Sequence, residues 1–195
     1  KDTALHMNAH SRVLSMIETA GLQKNEDGEI ESYDFFTEDL FGVEESLEEL
    51  MSYLRAAAAG SEVSRRILLL YGPTSSGKSQ LAVLLKRGLE EFSKTEAGRT
   101  YCLSDSPMFE DPLCAIPNAL RKDFEKEYGI KIQGQLSPLM TLKLNEEYGG
   151  DFLKLPVKRF FFSEQSRVGI GTFVPSDKKS QDVSELVGSM DLSKI

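Results

Sequence analysis

Two glycines, an ammonium and a hydroxyl stand at a spacing suited to gripping a phosphate chain: Gly72-x-x-x-x-Gly77-Lys78-Ser79. Glycine lets backbone N–H groups curl toward a phosphate with no Cβ in the way. Pro73, Thr74, Ser75 and Ser76 fill the loop between the glycines, and three of the four are small. Lys78 supplies a point charge for the outer phosphates, and the Ser79 hydroxyl suits Mg²⁺. Gln80 continues into a helix whose first turn adds unpaired N–H groups and the positive end of the dipole. The chemistry predicted for Gly72 to Gln80 is nucleotide binding through a P-loop, or Walker A loop, with ATP and Mg²⁺ as cofactors and Ser79 as the metal ligand. No residue is assigned a catalytic role.

A strand and a helix must flank such a loop. Ile67 to Tyr71 is a continuous apolar run, the pattern of a strand buried on both faces of a parallel sheet. Leu81, Leu84, Leu85 and Leu89 recur at helical spacing, which predicts a helix from Gly77 to about Phe92. Upstream, Leu47, Leu50, Met51 and Leu54 form the apolar face of a helix from Glu44 to about Ala59, with Gly60 as its stop. Glu44, Glu45, Glu48 and Glu49 load its N-terminal half with acid, as the helix dipole favours. Leu40-Phe41-Gly42-Val43 precedes that helix. Taken alone, it packs the helix onto a sheet or lies across a base. The phosphate loop downstream favours the second role, with Phe41, Gly42 and Val43 contacting adenine.

The remaining chain is less specific. Residues 11–22 read as a short amphipathic helix ended by Gly21, and 23–32 as a polar linker with an Asp27-Gly28 turn. Arg99 to Ser104 reads as a second strand with Cys102 buried. Residues 105–156 read as an insertion, broken by Pro107, Pro112, Pro117 and Pro138, with helices at Asn118–Tyr128 and Pro138–Glu147. Its acids, Glu110, Asp111, Glu125, Glu127, Glu146 and Glu147, read as a solvated face and not a metal cluster. Pro156 to Ser163 is the third expected strand. Glu164 follows it where a Mg²⁺-shell acid could stand, yet Ser163 occupies the usual aspartate position, which favours an ordinary strand end. Gly169 to Gly171 reads as a turn, and Asp182 to Val187 as a short helix.

With 23 basic against 31 acidic residues, the net charge of −8 argues against nucleic acid or an anionic membrane as partner. The two cysteines, Cys102 and Cys114, are too few for a disulfide framework or a four-cysteine zinc site, and a reduced, cytoplasmic protein is expected. No apolar run reaches the ~18 residues of a membrane span. Residues 1–20 lack the apolar core of a signal peptide, and His6 and His10 read as solvated.

Several stretches together resemble one family. They are Phe41-Gly42-Val43-Glu44-Glu45, Leu54-Arg55-Ala56-Ala57-Ala58, and Leu70-Tyr71-Gly72 through Ser79. Further along come Ser106-Pro107-Met108 with Glu110 and Pro112-Leu113, then Glu127-Tyr128-Gly129-Ile130 and Tyr148-Gly149-Gly150-Asp151. The run from Ser180 to Asp191 completes the set. The chain resembles the AAA+ domain of bacterial PrkA-type serine protein kinases from about residue 10 to 195. That resemblance implies an α/β fold: a P-loop NTPase with a three-layer αβα core and a parallel sheet. It implies an N-terminal helix and linker over 1–32 and a partial AAA+-like domain over 33–195, carrying the insertion at about 105–156. The Walker B acids, the sensor residues and the arginine finger would lie beyond Ile195. Partners would be a protein substrate or client, with self-oligomerisation through AAA+ interfaces and no nucleic acid or membrane. The loop departs from the family in carrying Thr74, Ser75 and Ser76 where more glycine is usual. The family name implies serine phosphorylation, but the chain holds neither a His-Arg-Asp loop nor Asp-Phe-Gly. A mechanochemical ATPase coupled to remodelling or proteolysis is the alternative, and a nucleotide-binding module without turnover a third.

Overall fold

In the computed structural model, which describes residues 6–174, the first helix is set by Asn8. Its side-chain oxygen accepts from the Ser11 N–H at 2.7 Å and caps α1 (Ala9–Ala20). Gly21, as expected, ends the helix. Residues 23–32, expected as a linker, instead lie in a hairpin of β1 (Leu22–Lys24) and β2 (Ile30–Tyr33). Asn25 builds its turn by accepting from the Asp27 and Glu29 N–H groups at 3.1 and 2.9 Å. The strands are too short and polar to show a two-residue period, so only the Asp27-Gly28 turn was legible.

Tyr33 leads into α2 (Asp34–Thr37), where Phe36 is fully buried, a burial that stabilises by about 2 kcal/mol. Residues 38–43 then connect to α3 (Glu44–Ala58), which buries Leu50, Met51, Leu54 and Ala57. Leu47 packs half-buried beside them. The helix after the phosphate loop is α4 (Lys78–Lys94). Met16 and Ile17 of α1, Leu50, Met51 and Leu54 of α3, and Leu81 and Phe92 of α4 share one core with Tyr33 and Phe36. Residues 1–32 thus contribute α1 to the same core as the later helices. At Gly88 the helices nearly touch: a Cβ there would lie 2.7 Å from Met16 Sδ and from the Phe35 ring.

The parallel sheet expected around the loop is not formed among the described residues. The two sheets present are antiparallel pairs, β1 with β2, and β3 (Thr100–Leu103) with β4 (Val157–Phe160). Ile67 to Tyr71 was expected as a buried strand, but it pairs with no described strand and its side chains face solvent. Ile67, Leu69 and Tyr71 are 93%, 79% and 94% exposed, whereas Leu68 and Leu70 are half covered. That alternation is the two-residue period of an extended chain. A strand needs hydrogen-bonding neighbours along its edges to become part of a sheet, and the pattern of its side chains cannot supply them.

Arg159 of β4 donates to the carbonyls of Lys94 and Thr95 at 2.9 and 2.7 Å and to Glu96 at 2.7 Å, which fastens β4 to the end of α4. The insertion carries α5 (Asn118–Tyr128) and α6 (Pro138–Glu146), close to the expected bounds. Leu103, Ala115, Met140 and Leu155 make a second core there. Glu110, expected on a solvated face, is a clamp. It accepts from the Ser106 hydroxyl at 2.6 Å, the Ser137 N–H at 2.6 Å and the Ser137 hydroxyl at 3.1 Å. It therefore ties the turn after β3 to the start of α6. Cys102 is buried as expected, and burial pushes its thiol up against the opposing pull of Lys158.

A first unit runs to Phe161, and a second begins at Phe162. In the second, Ser163 and Val168 exchange backbone hydrogen bonds of 2.9 Å across a tight turn, and Gly169 takes a positive φ as a turn residue. The third expected strand stops at Phe160, short of Ser163, because the chain turns there. The expected helix at Asp182–Val187 lies outside the described residues.

Candidate functional site

The phosphate loop takes its shape from two left-handed residues. Ser75 has φ 64° and Gly77 has φ 81°, the latter as the N-cap of α4. Gly77 has no side chain to cap the helix, and none replaces it, so the first-turn N–H groups of a 17-residue helix head the loop. At the other end, a Cβ on Gly72 would lie 3.2 Å from Ser76 Oγ and 3.9 Å from Lys78 Nζ. Gly72 therefore stands where the loop folds back on itself. Ser75, Ser76, Gly77, Lys78, Ser79 and Gln80 line a cavity of about 240 Å³.

Lys78 points into the loop. Its ammonium donates to the Gly72 carbonyl at 3.0 Å, to the Ser76 hydroxyl at 2.9 Å and to the Pro73 carbonyl. These acceptors are neutral. An anionic phosphate oxygen is a stronger acceptor for the same ammonium, because the attraction between opposite charges adds to the hydrogen bond. Ser79 is exposed on the first turn of α4. Thr74 is also exposed, on the outer part of the loop.

The segment expected to meet adenine lies beside this loop. Leu40 Cδ2 comes within 3.2 Å of the Cβ position of Gly77, and Gln80 Nε2 donates to Asp39 at 3.1 Å. Phe41 is 78% exposed, an aromatic face open to a planar ligand. Gly42 donates its N–H to Glu44 Oε1 at 3.1 Å, and Val43 is the half-buried N-cap of α3. The structure therefore brings Asp39 and Leu40 of this segment against Gly77 and Gln80. Glu164 sits in the tight turn after β4 and accepts from the Thr172 hydroxyl. Asp39 was not singled out in the sequence, because no spacing rule marks an acid two residues before Phe41. Among the described residues no group of His, Cys, Asp and Glu is arranged to hold a metal by itself. No described helix is long and apolar enough to cross a membrane.

Comparison with known proteins bears directly on this geometry. A family model described as the PrkA AAA domain matches residues 1–195. The chain is 52% identical over 189 residues to the ATP-dependent protease PrkA of Bacillus subtilis (strain 168), covering 96% of this chain and 30% of that protein. It is 35% identical over 165 residues to the serine/threonine kinase YeaG of Escherichia coli (strain K12), covering 81% of this chain and 25% of that protein. A shorter match, 41% over 61 residues, is to an uncharacterized protein of Geobacillus stearothermophilus, covering 31% of this chain and 61% of that protein. No solved structure matches the chain significantly. The chain spans less than a third of the length of the first two relatives.

Proposed function

The chain belongs to the PrkA AAA domain family, and from that we propose that it binds Mg-ATP on its phosphate loop for an ATP-dependent action on proteins. The observation that carries this reading is the loop itself. At two positions a Cβ would crowd a neighbouring side chain, a left-handed turn feeds uncapped helix N–H groups, and one ammonium is already aimed inward. Gly72 to Gly77 would wrap the phosphates and Lys78 would neutralise the outer ones. Ser79 would ligate Mg²⁺, and Gln80 would hold the first helical turn in place. Phe41, Gly42 and Val43 would meet the adenine. Bound Mg-ATP supplies a phosphoanhydride whose cleavage can be coupled to work or to phosphoryl transfer.

We further propose that Ile67 to Tyr71 is one strand of a parallel sheet, in a three-layer αβα arrangement, completed by strands from sequence outside 1–195. The solvent-facing apolar row supports this. The share of the relatives' length that the chain covers leaves room for such strands. The acid completing the Mg²⁺ shell would then come from one of them, and Glu164 would remain a turn residue.

Two readings of the ATP-dependent step follow from the relatives' names. The relative at 52% identity is called a protease and the one at 35% a kinase. The higher identity over more of the chain favours coupling to proteolysis or remodelling, with a protein as client and contacts between copies of the domain. A full-length preparation incubated with labelled ATP and a casein-type protein separates them. ATP-dependent loss of the added protein supports the proteolytic reading, and labelled serine on an intact protein supports the kinase. Neither, with ATP binding present, leaves the domain as a nucleotide-binding module.

A further inference from the structure

Residues 38–43 form a strap between α2 and α3. At its start, the Asp39 and Leu40 N–H groups both donate to the Phe36 carbonyl, at 3.2 and 3.0 Å. At its end, Gly42 N–H is held by Glu44. Both ends are thus fixed within the strap's own neighbours. Contact with the start of α4 is a separate matter and has an apolar and a polar part. Leu40 lies against Gly77, and Gln80 donates to Asp39 Oδ1 at 3.1 Å. The second is a polar, directional tie between a strap carboxylate and the first turn of the phosphate-binding helix.

We infer that Asp39 is a positioning residue that fixes the separation between the base-binding and phosphate-binding halves of the site by holding Gln80. The inference rests on the nucleotide reading above. A nucleotide engages both halves through one covalent frame, so its second contact is intramolecular and its affinity depends on their being held at the matching distance. A ligand with phosphates and no base touches only the loop and is indifferent to that distance. Asp39 itself need touch neither part of the nucleotide. Leu40 alone leaves the strap free to slide along α4, because apolar contact is not directional.

The test uses Asp39→Ala and Asp39→Asn in the full-length protein, with Mg-ATP affinity measured by calorimetry and tripolyphosphate affinity by competition against ATP. Asp39→Ala is expected to weaken ATP about five-fold, the scale of one net hydrogen bond, and to change tripolyphosphate by less than about two-fold. Asp39→Asn keeps the Oδ1 acceptor for Gln80 and should restore ATP affinity. Thermal melting should be unchanged in both, since Asp39 is exposed. Equal losses for the two ligands, unchanged ATP binding in Asp39→Ala, or no rescue by asparagine would each overturn the inference. Wild-type protein that binds neither ligand would instead remove the nucleotide reading, and the inference would fall with it.

Discussion

Gly77 does two jobs that only glycine does together. Its φ of 81° turns the chain into α4, and its missing side chain admits Leu40 to the loop. Alanine there meets a left-handed backbone, which costs a non-glycine residue about 1 kcal/mol or more, and a contact of 3.2 Å to Leu40 Cδ2. Gly77→Ala is therefore expected to lower urea-unfolding stability by about 1–2 kcal/mol. It should weaken ATP by at least roughly ten-fold, because the amides proposed to face the phosphates would turn away. An unchanged ATP affinity would show that the loop's curl is not what binds. Gly72, Gly77, Lys78 and Ser79 were singled out by spacing, since the proposed phosphate binding calls for those types at those intervals. Asp39 and Glu110 were not. Each acts through a partner distant in sequence, Gln80 for one and Ser137 for the other, and no local pattern encodes such a meeting.

The elements divide in the same way. The helices at Glu44–Ala58, Lys78–Lys94, Asn118–Tyr128 and Pro138–Glu146 carry a helical period, glycine stops or a proline start, so their bounds were readable to within one or two residues. The hairpin at 22–33 has strands of three and four residues, too short for a period. Ile67 to Tyr71 shows that an apolar run reports a strand's preference for burial and not its neighbours. Its proposed place in a larger sheet gives a direct expectation for Leu69→Asp. In residues 1–195 alone, Leu69 is 79% exposed, and the change should alter stability by no more than about 0.5 kcal/mol. In the full-length protein the same aspartate would be buried without a partner, at a cost of about 3 kcal/mol or more. Paired thermal or urea melts of the two lengths decide the matter, and equal effects in both would rule out the added strands.

At the scale of the molecule, the first unit holds two apolar cores. One joins α1, α3 and α4 beneath the phosphate loop, and the other joins β3 to the insertion. Arg159 and Glu110 connect the parts by hydrogen bonds: Arg159 fixes β4 to the end of α4, and Glu110 fixes the start of α6 to the turn after β3. The loop is thereby mounted on a helix that is buried on one face and anchored at its far end. That is the support a binding loop needs to keep its amides aimed. The central claim is that this loop, through Lys78, holds the phosphates of ATP. Calorimetric titration of Mg-ATP into the wild-type protein and into Lys78→Ala tests it most directly. Saturable binding to the wild type, weakened roughly 10- to 100-fold in a variant that melts at the wild-type temperature, is the expected result. Equal affinity in the two folded proteins would contradict it.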